Sequence, residues 1–171
     1  MLTRLVIQDC RAQDVAVLQA AAPFPGQTNL HAQRFERQQD GAVSYLIAWL
    51  DGAPVGNAEV RWEGCTEVAV RARFDGCPEI GALDVWPEAM RSRGVGSALL
   101  TAAEARIVGR ELRWSGVGVA LDNPRAADLY RRRGYGGLSA RYVASWTYLD
   151  LEGVAVTQAD DCEFLVKVLA G

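Results

Sequence analysis

The segment Leu83-Asp84-Val85-Trp86-Pro87-Glu88-Ala89-Met90-Arg91-Ser92-Arg93-Gly94-Val95-Gly96-Ser97-Ala98-Leu99-Leu100 constrains this chain more than any other. An apolar strand runs into Pro87, which breaks it, and two glycines then open a long apolar-faced helix. The first turn of a helix carries N–H groups with no internal acceptor, at the positive end of the helix dipole. An anion, above all a phosphate, is the natural ligand of such a terminus. Gly94 and Gly96 add no Cβ to keep a ligand away from the backbone, and Arg91 and Arg93 add charge beside it. Walker A is excluded because no Gly-Lys pair exists in the chain, and the dinucleotide fingerprint fails because Leu99 stands where its third glycine belongs. A glycine-rich helix entry with no ligand is the alternative these residues leave open.

The periodicities around this segment predict an α/β domain with a mixed sheet, spanning 1–171. Strands are expected over Leu2–Ile7, Val43–Leu50, Pro54–Trp62, Glu79–Val85, Leu112–Leu121, Ser139–Leu149 and Cys162–Leu169. Helices are expected over Gln13–Ala22, ended by Pro23-Phe24-Pro25-Gly26, and over Asn29–Gln39, Gly94–Val108 and Pro124–Arg133. Asp51-Gly52 is a hairpin turn. Glu79–Leu121 is a strand–helix–strand unit, which requires a parallel crossover. Glu63–Pro78, with a β-prone patch at Val68–Val70, reads as a long connection or a strand extension, and Asp150–Asp161 reads as a loop.

Composition narrows the function. Half of the 171 residues are hydrophobic and the net charge is −3, which argues against disorder and against general nucleic-acid binding. Positive charge is local, at Arg91/Arg93 and at Arg131-Arg132-Arg133. The four cysteines form no CxxC pair and His31 is the only histidine, so no metal site is expected and the thiols are read as buried and reduced. With no secretory signal and no apolar run of about 20 residues, a cytoplasmic protein with no membrane partner is expected.

The spacing LxVxPxxxRxxGxGxxLL from Leu83 resembles the cofactor-binding motif of the Gcn5-related N-acetyltransferase (GNAT) superfamily. A second stretch, Asn123-Pro124-Arg125-Ala126-Ala127-Asp128-Leu129-Tyr130-Arg131-Arg132-Arg133-Gly134-Tyr135, resembles its NxxAxxLYxxxGF/Y segment, in family order and at a family-like separation. Departures are small: Ser92 stands where the family often has glycine, and Glu63–Pro78 and Asp150–Asp161 match no motif. The resemblance implies a GNAT-like fold: a central, mostly antiparallel sheet with one splayed parallel strand pair, flanked by about four helices. It implies acetyl transfer from acetyl-CoA to a primary amine, by direct attack in a ternary complex and without metal.

On this resemblance, backbone groups of Leu83 and Val85 would pair with the pantetheine arm, and a backbone N–H near Val85 would meet the oxyanion. Arg91, Ser92, Arg93, Gly94, Val95, Gly96 and Ser97 would hold the pyrophosphate. Asn123 would bond the pantetheine. Tyr130 would face the thioester sulfur, where a neutral phenol can donate a proton to the departing thiolate. Glu79 is the first candidate for general base, Glu59 the second and Asp84 the third, with a water relay as the alternative. The acceptor side is expected near Glu63–Pro78 and Asp150–Asp161, where Glu59, Glu63, Glu67 and Asp75 suggest a cationic small-molecule amine. A protein N-terminal or lysine acetyltransferase, a non-catalytic acyl-CoA-binding module and a homodimer are the alternatives left open.

Overall fold

The computed structural model describes residues 4–24, 26 and 29–170. Seven strands form one sheet in the order β1-β2-β3-β4-β5-β7-β6: β1 Leu5–Asp9, β2 Val43–Leu50, β3 Ala53–Arg61, β4 Glu79–Val85, β5 Trp114–Ala120, β6 Leu138–Leu149 and β7 Ala155–Val168. Five α-helices accompany them: α1 Asp14–Ala21, α2 Leu30–Gln39, α3 Val68–Arg73, α4 Val95–Gly109 and α5 Pro124–Arg132. Every strand pair is antiparallel except β4–β5. Leu2 and Thr3 of the first expected strand, and Pro25 of the first helix stop, lie outside the described residues.

Period-2 alternation sorts the side chains onto two faces. Leu46, Ala48, Ala58, Val60, Ile80, Val117 and Leu165 meet Val95, Leu99, Ala103 and Ile107 of α4 and Ala127 and Tyr130 of α5. On the opposite face, Tyr45 and Ile47 pack with Leu18 of α1 and Phe35 of α2, while Phe164 and Val166 pack with Val70 and Phe74. Helices therefore cover both faces of the sheet. The β2–β3 hairpin turns at Asp51 (φ 49°) and Gly52 (φ 86°), the two positive φ values a tight two-residue hairpin requires.

Two expected regions differ. The patch Val68–Val70 is neither loop nor strand but opens α3, capped by the Glu67 carboxylate, which accepts from the Ala69 N–H at 3.3 Å. Val70 and Phe74, four residues apart, then share one helical face and close over Phe164, whose ring lies 5.9 Å from that of Phe74. Tertiary burial overrides the β-branched propensity there. The last strand begins at Ala155 rather than Cys162, because β6 supplies a ladder partner from Val166 out to Ala155. Its turn is held by the Asp150 carboxylate, which accepts from the N–H groups of Glu152 (2.9 Å) and Val154 (2.8 Å).

Candidate active site

The site originates in an incomplete parallel pair. β4 and β5 pair only at Glu79–Gly116 and Ile80–Val117, although both strands continue. On its other edge β4 carries an extra residue: Asn57 faces Asp84 and Glu59 faces Gly81, so Ala82 and Leu83 together oppose Ala58. This is a β-bulge, a device that bends and re-aims a strand. Ala82 sits at φ 49°, and the buried Asn57 amide donates to its carbonyl at 2.6 Å. Past the bulge, β4 leaves β5 and the two strands part.

Two clefts open at this parting, one lined by Leu83 and the other by its neighbour Ala82. The larger, about 660 Å³, lies toward α4 and α5 and includes Leu83, Asp84, Val85, Asn123 and Tyr130. The smaller, about 290 Å³, lies on the opposite face and includes Arg61, Glu79, Ala82, Gly118, Tyr142 and Asp160.

The glycine loop forms one end of the larger cleft. Ser92 (φ 60°) and Gly94 (φ 91°) reverse the chain, and Gly94 caps α4 without any side-chain acceptor. Helical bonding starts with the Ala98 N–H on the Gly94 carbonyl at 2.9 Å. The N–H groups of Val95, Gly96 and Ser97 thus have no helical acceptor, the condition for anion binding. Arg91, Ser92, Gly94, Gly96 and Ser97 line the cleft. Arg93 turns away, its guanidinium 3.7 Å from the Met90 sulfur, and Val95 is buried in the core, so neither lines it by its side chain.

Two arginines that sequence reasoning did not assign complete this end. Arg125 and Arg132 of α5 line the cleft, and Arg125 donates to the Ser92 hydroxyl at 2.7 Å. Arg131 and Arg133, their neighbours in the basic run, instead pair with Glu163 (3.5 Å) and Glu104 (3.6 Å). The Asn123 side-chain oxygen caps α5 by accepting the Ala126 N–H at 3.1 Å. The Arg91 side chain donates to the Val85 carbonyl at 3.3 Å.

Tyr130 is the buried aromatic of this cleft. Its ring is packed edge-on against Tyr135 at 6.1 Å, and its hydroxyl takes no hydrogen bond among the described residues. Burial, reinforced by the Asp84 and Glu79 carboxylates, pushes the phenol up to about 12, so it carries its proton at neutral pH. Asp84 is exposed on the rim of the same cleft.

Across the bulge, Glu79 is buried at the start of β4, and its carboxyl lies above the ordinary carboxylate range because burial outweighs the attraction of Arg61. Arg61 binds Glu79 Oε2 at 3.0 Å. Glu59 is also buried but enclosed: Arg37, Arg34 (4.0 Å) and Arg61 (3.7 Å) all engage it. Both of its oxygens thus face guanidinium groups. Glycines on the two parting strands make the floor. A Cβ on Gly81 would press on the Arg61 guanidinium, and one on Gly118 would overlap the Tyr142 hydroxyl and approach Glu79 Oε1 at 3.0 Å. Arg61, Tyr142, Gly81 and Gly118 had no local sequence signal, because they converge from four separate strands.

The profile of the acetyltransferase (GNAT) family matches residues 13–135. The chain belongs to this family. Solved structures share its fold over nearly the whole length. An N-acetyltransferase from Staphylococcus aureus superposes with TM-score 0.67 at 14% identity, covering 98% of this chain and 100% of its own. A putative acetyltransferase from Salmonella typhimurium, solved with acetyl-CoA, gives 0.63 at 20%, with 99% and 96% covered. A mutant spermidine N-acetyltransferase from Vibrio cholerae gives 0.67 at 14%, with 97% and 94% covered. No match is found among curated protein sequences. This GNAT-family chain is an acyltransferase with a mixed sheet and one splayed parallel pair. Among the described residues no cluster of metal-binding side chains occurs, and no helix is long and apolar enough to cross a membrane.

Proposed function

We propose that the protein transfers an acetyl group from acetyl-CoA to a small-molecule primary amine. The observation that carries this reading is the pair of clefts on either side of the β4 bulge, one ending in an uncapped helix entry and the other in a buried carboxylate. The larger cleft fits the donor. Its pyrophosphate would rest on the N–H groups of Val95, Gly96 and Ser97, with Arg91, Arg125 and Arg132 supplying bidentate donors. The edge of β4 left unpaired beyond Ile80 would receive the pantetheine amides at Leu83 and Val85, and Asn123 would bond the arm through its amide nitrogen. For the Val85 carbonyl to take part, Arg91 must release it.

In the reaction the amine nitrogen forms a bond to the thioester carbon and the carbon–sulfur bond breaks. A free alkyl ammonium has pKa near ~10.4 and must lose a proton first. Glu79 would accept that proton. Tyr130, protonated and without a competing hydrogen bond among the described residues, would deliver one to the thiolate, and the second proton shed by the nitrogen as the amide forms would restore the phenol. The smaller cleft, at about 290 Å³, suits a compact amine better than a folded protein segment. Thr66 and Asp160, from the two segments expected to build the acceptor side, both line it. Free-thiol release from acetyl-CoA, measured across polyamines, aminoglycosides, amino acids and simple monoamines, tests the reading. Turnover with at least one amine and none with lysine peptides is expected; silence across the panel would overturn it.

A further inference from the structure

Among the described residues, Arg61 is the one cation that acts on Glu79. From β3 come Arg61 and Glu59, from β6 Tyr142, from the segment around α3 Cys65 and Cys77, from β7 Cys162, and from α5 Tyr130. Burial and the Glu59 charge both favour the neutral acid, and only Arg61 opposes them. A neutral carboxylic acid cannot accept a proton from an ammonium.

The Arg61 guanidinium is built into place. It lies flat over Gly81, where a Cβ would come within 3.2–3.3 Å of three of its atoms. Nη1 donates to Glu79 Oε2 at 3.0 Å, and Nη2 is 3.7 Å from Glu59 Oε2. Glu59 is clamped by Arg34 and Arg37, so the far side of Arg61 is anchored to α2. With Oε2 taken, Glu79 Oε1 is the oxygen left over Gly118 and beside the Tyr142 hydroxyl, within the smaller cleft.

Resting on the reading of Glu79 as proton acceptor, we infer that Arg61 is its positioning residue. From its seat over Gly81, with Glu59 behind it, Arg61 binds Glu79 Oε2, favours the carboxylate against burial and leaves Oε1 to the incoming amine. Arg61 itself touches neither reacting atom.

Carbon-13 NMR of carboxyl-labelled glutamate, with Glu79 assigned through Glu79→Gln, follows the titration of this group directly in the wild type, Arg61→Met and Arg61→Lys. The midpoint is expected to move to higher pH in Arg61→Met and to return part of the way in Arg61→Lys. The acid limb of kcat/KM should move with it, with a loss of about tenfold at the wild-type midpoint and an unchanged Kd for acetyl-CoA. If Arg61→Met does not fold, Gly81→Ala displaces the guanidinium while keeping its charge, and the same upward shift is expected. A Glu79 titration that stays in place in a folded variant overturns the inference. A wild type that turns over no amine would defeat the proposed function, while the titration would still decide the role of Arg61.

Discussion

Tyr130 and Gly118 show how differently single residues can be read. Tyr130 stands in a local pattern, with Asn123 seven positions before it and Gly134 four after, so the chain itself announces it. Gly118 stands in an ordinary run of β5, and its requirement comes from Tyr142 and Glu79, which lie on β6 and β4. Tyr130→Phe should lower kcat by on the order of 10²-fold with little change in acetyl-CoA affinity, measured by steady-state kinetics beside calorimetry. Equal kcat values would remove its role as proton donor. Gly118→Ala should abolish most activity, because the new methyl would occupy the space of the Tyr142 hydroxyl beside Glu79. Retained turnover in that variant would mean the smaller cleft is not where the amine binds. Gly116→Ala, whose methyl would run into the Phe164 ring, is expected instead to act on stability, costing about 1–3 kcal/mol in denaturant unfolding.

The elements flanking the site carry their own signature in His31. Its ring is fully buried, with Nδ1 2.7 Å from the Tyr45 hydroxyl and Nε2 2.8 Å from the Ala22 carbonyl, so it ties α2 to β2 and to the end of α1. Burial pushes its pKa below the ordinary 6.5, against the opposing pull of the Ala22 carbonyl. A histidine depressed in the folded state contributes stability above its unfolded pKa, and that stability is lost as pH falls below about 6.5. Unfolding free energy should therefore fall from pH 7 toward pH 5.5, by at most about 1.4 kcal/mol per pH unit from this group, and the melting temperature with it. His31→Gln should flatten that part of the curve, and an unchanged slope in the variant would assign it elsewhere. At this scale the elements rich in apolar residues were legible, β2 and α4 above all. The helix α3 was not, since Val68–Val70 favours strand in isolation and turns helical only where Val70 and Phe74 can bury against β7. The outer half of β7 was hidden for a related reason: Ala155–Asp161 has little apolar alternation, and its ladder comes from β6.

For the whole molecule, ligand linkage is the direct test of the donor site. Acetyl-CoA at about 100 times its Kd should stabilise the fold by about 2.7 kcal/mol and raise the melting temperature accordingly. Arg125→Ala and Arg132→Ala should each reduce that increment without altering the melting temperature of the free protein. No shift in the wild type at saturating acetyl-CoA would remove the donor assignment. The glycine loop, the α5 segment and the order of elements lie in contiguous stretches, where the backbone geometry of a turn, a helix entry or a cap is set by neighbours in the chain. For that reason the sequence by itself determined the family, the parallel crossover and the glycine-rich helix entry at the end of the larger cleft. The bulge in β4, the enclosure of Glu59 by three guanidinium groups, and the Arg61–Glu79–Tyr142 cluster over two glycines were decided only by the tertiary structure. Each joins residues far apart in the chain, through a strand register and a bulge at Ala82 that no local pattern encodes.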